Sequence, residues 1–94
     1  MKLLKEQFSD LFELPNEIIL DAPLIMMVGQ KKLYIENHKG IALYQQDKLK
    51  VRLKVGNILI EGKDLLISEI NTEYLFISGI IVSLNYEIKG GAGD

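Results

Sequence analysis

The fold is decided by a stretch in the middle of the chain, Lys48-Leu49-Lys50-Val51-Arg52-Leu53-Lys54-Val55-Gly56-Asn57. Basic and aliphatic residues alternate strictly from Lys48 to Val55. Because successive side chains of a β-strand point to opposite faces, this period of two predicts a half-buried strand. Gly56-Asn57 has the chemistry of a two-residue hairpin turn, so we expect an antiparallel strand to follow it.

Similar short apolar segments continue on both sides of this stretch. They are separated by turn signals such as Asn37-His38-Lys39-Gly40, which has hairpin chemistry, and Asn71-Thr72-Glu73. The spacing predicts about seven to eight strands in an all-β fold, a small antiparallel meander sandwich or roll. A short β-solenoid is the alternative, because Leu59-Ile60-Glu61-Gly62 and Phe76-Ile77-Ser78-Gly79 both end a predicted strand in glycine.

The chain divides into a predicted helix, a β domain and a tail. Residues 1–13 place Leu4, Phe8, Leu11 and Phe12 on one helical face, and Pro15 ends the helix. A helix this short needs a docking surface, for which the domain's own sheet is favoured over a partner or a membrane. Residues 14–88 form the single β domain, which includes strand-like segments at 17–21 and 24–28. The Gly-rich residues 89–94 form a flexible tail.

Composition excludes several classes of protein. The chain has 94 residues, 48% hydrophobic and 26% charged, with no cysteine and one histidine. This balance is typical of a soluble globular domain, and it leaves little material for a metal site or a thiol mechanism. We therefore expect no metal, no cofactor and no enzymatic activity. Lys5 and Glu6 interrupt the N-terminal apolar residues, so we expect neither a signal peptide nor a transmembrane segment, and a cytoplasmic location.

The small net charge of −2 hides a strong segregation of charge. Residues 1–30 carry −3, residues 31–54 carry +5 and residues 55–94 carry −4. Such blocks are compatible with complementary faces on neighbouring strands, and equally with complementary surfaces on two subunits. Self-association of the chain therefore stays open.

The strongest local feature is a basic stripe, which we define as Lys48, Lys50, Arg52 and Lys54. Its period places all four cations on one strand face. A solvated face that keeps an edge strand from pairing is one interpretation. The functional interpretation is contact with an acidic protein surface. A polyanion or nucleic-acid binding module is the alternative, although no aromatic side chain lies within this strand for base stacking.

The second candidate is the loop segment Glu36-Asn37-His38. Its histidine and carboxylate suggest a general base or a metal ligand, but no nucleophile or second ligand accompanies them by spacing. The other interpretations are a turn histidine that bonds to nearby backbone and a loop that contacts a partner. We include the three residues with the basic stripe as candidate partner-binding residues.

The order of these pieces resembles the YabP/YqfC family of sporulation proteins, and the YqfC branch most closely. The resemblance rests on Leu14-Pro15, Ile19-Leu20-Asp21-Ala22-Pro23, Met27-Val28-Gly29, Tyr34-Ile35-Glu36-Asn37-His38-Lys39-Gly40-Ile41 and Gly79-Ile80-Ile81. It covers about residues 14–88, and its most specific part is the segment from Ile35 to Ile41.

The resemblance implies a role in endospore formation and no established enzymatic activity. It also implies a protein partner, a membrane-anchored sporulation protein of the YqfD type, which would place the chain at a membrane of the sporulating cell through that partner. No catalytic residue is carried over, because the family has none assigned.

Overall fold

The described part of the chain forms one antiparallel sheet that curls back on itself. The structure is a computed structural model that describes Leu4, Gln7 and residues 22–88. Its six strands are β1 (Leu24–Val28), β2 (Lys32–Glu36), β3 (Ile41–Tyr44), β4 (Lys48–Leu53), β5 (Gly56–Ile70) and β6 (Tyr74–Ile88). Their order in the sheet is β1-β2-β6-β5-β4-β3. The prediction of an antiparallel all-β fold is confirmed.

Two halves of the sheet share the long strands β5 and β6. In the β2 half, β1 and β2 lie beside residues 74–78 of β6 and residues 66–70 of β5. In the β4 half, β3 and β4 lie beside residues 56–61 of β5 and residues 83–88 of β6. Each long strand therefore runs through both halves.

The connection between β2 and β3 requires the sheet to curl. These strands lie four positions apart in the sheet order. In a flat sheet they would be roughly 19 Å apart, whereas the five steps from Glu36 to Ile41 span at most about 17 Å. The connecting residues also pair with β4, since Lys39 N donates to Arg52 O at 2.7 Å and Arg52 N donates to Gly40 O at 2.8 Å. The segment 37–40 is therefore a link between the two halves, and the predicted hairpin there is wrong.

The core lies between the two halves. Its buried members come from β2, β4, β5 and β6, and they are Leu33, Ile35, Leu49, Val51, Leu53, Ile58, Ile60, Leu65, Leu75, Ile77 and Ile81. Alternate residues of β2 and β4 point into it, as the period of two predicts. The opposite side of each half is an outer face, and the two outer faces differ in chemistry.

Irregularities in β5 and β6 make the bend. The register shifts between Glu61 and Gly62 and again between Lys63 and Leu66. Backbone N–H groups near these shifts bond to loops and not to the neighbouring strand. Gly62 N donates to Asp47 O at 3.0 Å, and Ile81 N donates to Gln30 O at 2.7 Å. The bend is thus held by the loops that precede β4 and β2.

Two glycines permit this close approach. A Cβ on Gly62 would lie 1.9 Å from the carbonyl oxygen of Ile80. Gly79 has φ +133°, and a Cβ there would lie 2.6 Å from the carbonyl oxygen of Asp64. No other residue type fits at Gly62 without displacing backbone, since real Cβ atoms do not approach so closely. The prediction that strands end at these glycines is wrong, because both strands continue through them as bulged strands.

The strand count changes for the same reason. The described residues form six strands and not the predicted seven to eight, because two pairs of predicted segments fuse into β5 and β6. The β4–β5 turn is Lys54-Val55, since Leu53 pairs with Gly56, so the predicted turn at Gly56-Asn57 is wrong. The solenoid alternative is excluded, because every strand pair is antiparallel, whereas a solenoid stacks its strands in parallel.

Three predictions fall outside this description. The helix over residues 1–13 lies outside the described residues apart from Leu4 and Gln7, and the strand-like segment 17–21 and the tail 89–94 lie outside it entirely. These stay predictions. Within the described part of the chain, no helix is long and apolar enough to cross a membrane.

Candidate functional site: a charged face and its cleft

The basic stripe lies on the outer face of the β4 half. Lys48, Lys50 and Arg52 alternate along β4 with Leu49, Val51 and Leu53, which are buried in the core. The prediction of which β4 residues face the core is therefore confirmed. Lys54 and Val55 are both exposed in the turn that follows β4, so the prediction that the strand and its basic face extend to them is wrong.

Acidic residues on neighbouring strands pair with the first two cations. Lys48 Nζ lies 3.9 Å from Glu61 Oε2 on β5, directly opposite it in the ladder. Lys50 Nζ reaches across β5 to Glu87 Oε1 on β6, at 3.2 Å. Both pairs are partly exposed, so each contributes little to stability, about 0–1 kcal/mol. They do reduce the positive potential along this part of the stripe, as complementary cross-strand faces would.

The rest of the stripe lies around a cleft at the end of β4. Arg52 Nη1 donates to Ile41 O at 2.7 Å, which ties the guanidinium to the edge strand β3. The cleft has a volume of about 460 Å³. Lys39, Arg52 and Lys54 line it together with Asn57, Glu87 and Ile88. The link between the halves thus contributes a third cation, Lys39, that the strand pattern could not reveal.

His38 is buried, and its hydrogen bonds join the 37–40 link to the β5–β6 turn. Its Nε2 lies 2.8 Å from the carbonyl oxygen of Asn71, and its Nδ1 accepts a hydrogen bond from Gly40 N at 3.1 Å. This pattern assigns the Nε2–H tautomer, in which Nε2 donates and Nδ1 accepts. The side chain is 7% exposed. Both ring nitrogens are therefore engaged by backbone, which matches the interpretation as a histidine that bonds to backbone.

A second opening lies beside His38. It measures about 510 Å³ and is lined by His38, Lys39, Gly40, Ile70, Asn71 and Thr72. Both ring nitrogens of His38 bond to backbone, so the imidazole presents no further donor or acceptor to this opening. It gives no support for proton transfer or metal binding at His38.

The other two residues of the predicted loop site also have structural contacts. Asn37 has φ +66°, a left-handed conformation that asparagine adopts more easily than most residues, and its Nδ2 donates to Ala22 O at 3.4 Å. Glu36 is completely buried, although it lies on the outer face of β2. The buried Glu36 and His38 present little surface to a partner, so our proposal below uses the basic residues alone.

An aromatic cluster on the outer face of the β2 half was not predicted. The ring centroids of Tyr34 and Phe76 are 4.6 Å apart, and those of Tyr74 and Phe76 are 5.5 Å apart. Tyr34 donates to Glu36 Oε2 at 2.5 Å, and Tyr74 donates to Glu69 Oε2 at 2.6 Å. Burial, with this hydrogen bond to a carboxylate, raises the pKa of Tyr34 far above its ordinary value. The hydrogen bond to Glu69 raises the pKa of Tyr74 as well.

The described residues contain no group of three or more histidine, cysteine, aspartate or glutamate side chains that could hold a metal ion. What the site offers is an ionic surface, with guanidinium and ammonium groups around a cleft. Such groups bind carboxylates and phosphates through charge-assisted hydrogen bonds.

Fold and site together define a small antiparallel β-domain with one charged outer face and one aromatic outer face. The chain belongs to the YabP family, whose match extends over residues 21–93. It is also 34% identical to the uncharacterized protein YqfC of Bacillus subtilis (strain 168). This alignment spans 83 residues and covers 88% of this chain and 89% of YqfC. The family resemblance noted from the sequence is thereby confirmed. No solved structure is significantly similar to the chain.

Proposed function

We propose that the protein is a non-enzymatic assembly or adaptor domain that binds a protein partner during endospore formation. Membership of the YabP family supports the sporulation context, through the resemblance described above. The observation that carries the binding role is the cleft of about 460 Å³ around Lys39, Arg52 and Lys54. A patch of this kind favours an acidic protein segment, because opposite charge steers association and limits the choice of partner.

Of the basic stripe, Arg52 and Lys54 line the cleft, whereas the other two lysines do not. Lys48 and Lys50 face Glu61 and Glu87, so an acidic partner there would also meet carboxylates. The lining of the cleft contains three cations and one carboxylate, that of Glu87. We therefore place the partner contact at Lys39, Arg52 and Lys54. The partner implied by the resemblance is a membrane-anchored protein of the YqfD type.

Affinity recovery of the tagged protein from sporulating cells tests this proposal. In Lys39→Glu/Lys54→Glu, both exposed side chains reverse charge at the cleft, and we expect partner recovery to fall at least about tenfold, since like charges at an interface cost several kcal/mol. The matched control is Lys31→Glu/Lys32→Glu, which makes the same charge change on exposed residues outside the cleft lining. Equal recovery by the two variants, at equal protein level and thermal stability, would remove the cleft from the proposal.

A nucleic-acid or polyanion module is distinguished by a salt titration with duplex DNA. Three phosphate contacts would give a slope of roughly −3 in log K against log salt. We expect no detectable binding even at low salt, because two lysines of the stripe already face carboxylates and no aromatic residue accompanies the stripe on β4. Salt-dependent binding that Lys39→Glu/Lys54→Glu abolishes would favour the polyanion function.

A further inference from the structure

The carboxylate of Glu36 lies on the outer face of the β2 half, where the sheet alone cannot shield it from solvent. Glu36 is 0% exposed, and Tyr34 on the same face is 6% exposed. Further across this face, Phe76 is 39% exposed and Leu66 is 55% exposed. Burial therefore increases toward Glu36, although this side of the sheet faces away from the core.

The N-terminal part of the chain reaches this point. The backbone N–H of Leu4 donates to Glu36 Oε2 at 2.6 Å, and the Tyr34 hydroxyl donates to the same oxygen. Hydrogen bonds to an ionised acceptor are about twice as strong as those between neutral groups, particularly where water is excluded. Leu4 is therefore fixed at the buried end of the face.

The chain returns to the same place at the start of β1. Leu24 lies directly opposite Glu36 in the β1–β2 ladder, and Ala22 O accepts a hydrogen bond from the neighbouring Asn37. Leu4 and Ala22, on either side of residues 5–21, therefore both lie close to Glu36. The outer face around Glu36 is therefore the packing surface nearest to both ends of residues 5–21.

The sequence of this segment fits the face. Leu4, Phe8, Leu11 and Phe12 share one side of the predicted helix. In the predicted helix, at about 1.5 Å per residue, Phe8 would lie roughly 6 Å beyond Leu4. Phe76 pairs with Tyr34, two residues before Glu36 on the neighbouring strand, so it lies roughly 8 Å from Glu36, close to the step from Leu4 to Phe8. Phe76, which is partly exposed, is therefore the apolar residue of this face within reach of Phe8.

We propose that residues 1–13 dock in cis on the outer face of the β2 half, with Glu36 as the anchor for Leu4 and with Phe76 as the apolar contact. The amphipathic segment is then occupied by its own domain. In the uncomplexed protein it serves neither as a membrane anchor nor as a partner-binding helix. This inference is independent of the cleft, which lies on the β4 half.

A single tryptophan tests the docking in the full chain, which has no tryptophan of its own. In Phe8→Trp we expect blue-shifted emission and a several-fold lower quenching by iodide than for free tryptophan. Adding Phe76→Ser to Phe8→Trp should shift the emission to the red and restore quenching. The matched control is Val55→Ser, an apolar residue of comparable exposure in the β4–β5 turn, which should leave the Phe8→Trp emission unchanged.

Other outcomes would overturn the proposal. Solvent-exposed emission from Phe8→Trp, in a protein whose circular dichroism matches the parent chain, would show that the segment does not dock. Protection that disappears on dilution would assign it to a second copy of the chain. A blue shift that appears only with vesicles of phosphatidylglycerol and phosphatidylethanolamine would assign the segment to a membrane surface. Glu36→Gln provides a separate test of the anchor, because it keeps an acceptor for Leu4 but removes the charge, and it should raise iodide quenching partway toward the Phe76→Ser value.

Discussion

The hydroxyl of Tyr34 donates a 2.5 Å hydrogen bond to the carboxylate of Glu36, two residues further along the same face of β2. Both side chains are buried, and the ring of Tyr34 packs against Phe76. Ionisation of the hydroxyl would place two negative charges in contact and remove the donor. The raised pKa of Tyr34 follows from this burial and this neighbour.

We expect the Tyr34–Glu36 contact to make the protein sensitive to alkali. The folded protein holds the Tyr34 proton more tightly than the unfolded chain, so its stabilising effect is complete below about pH 10 and is lost as pH rises further. Above that pH the free energy of unfolding should fall by about 1.4 kcal/mol per pH unit for this group. Urea unfolding between about pH 8 and pH 11 measures the slope. Tyr34→Phe should have a shallower slope by that amount, and identical slopes would contradict the assignment.

The bend of the sheet should be intolerant of a side chain at Gly62. A Cβ there would lie 1.9 Å from the Ile80 carbonyl oxygen, so backbone must move. We expect Gly62→Ala to lower the free energy of unfolding by about 3 kcal/mol, the upper range for overpacking. Gly29→Ala is the control, since a Cβ at Gly29 meets nothing within 4 Å and the substitution there costs only about 1 kcal/mol for its left-handed φ. Equal losses for the two variants would show that the close approach is not the cause.

His38 should matter for stability, because its two ring nitrogens join the link between the halves to the β5–β6 turn. We expect His38→Ala to lower the free energy of unfolding by about 1–3 kcal/mol through lost hydrogen bonds. Thr72→Ala, on the rim of the same opening, should change it by less than about 0.5 kcal/mol. Normal stability combined with a loss of function in His38→Ala would indicate a direct chemical role instead.

The ion pair between Lys50 and Glu87 should have a small, salt-dependent coupling energy. A double-mutant cycle with Lys50→Gln and Glu87→Gln should give about 0.2–1 kcal/mol at low salt, because both groups are partly exposed. The value should approach zero near 1 M salt, where the Debye length is about 3 Å. A coupling that persists at that salt would indicate a contact shielded from solvent.

Sequence periodicity predicts much of this fold because one side of each strand is buried. The alternation of Leu49, Val51 and Leu53 with cations fixes which face of β4 points to the core. The alternation of side chains does not predict the bend, because bulges interrupt the period of two there and glycines occupy the points of close approach. Gly62 and Gly79 therefore look like turns, although backbone contacts between distant residues require them inside continuous strands.

The candidate site is predictable only within a single strand. The common face of Lys48, Lys50 and Arg52 follows from spacing, whereas the pairing of the two lysines with Glu61 and Glu87 depends on the register of β4, β5 and β6. Tyr34 and Phe76 come together because β2 pairs with β6, a contact between strands far apart in the chain. No local pattern marks it, since each tyrosine or phenylalanine by itself is an ordinary strand residue.

The long hairpin of β5 and β6 has a consequence for how the chain folds. Its turn is local, with Asn71 Oδ1 accepting hydrogen bonds from Glu73 N at 2.8 Å and Tyr74 N at 2.9 Å, whereas the β2–β6 pairing must close a loop of about 40 residues. We expect this hairpin to form early and to act as the template for the other strands, so that Asn71→Ala slows folding more than it speeds unfolding. Stopped-flow folding and unfolding rates measure this ratio. Since both halves share the hairpin, neither half has a separate route to its native state, and the domain should fold in one kinetic step.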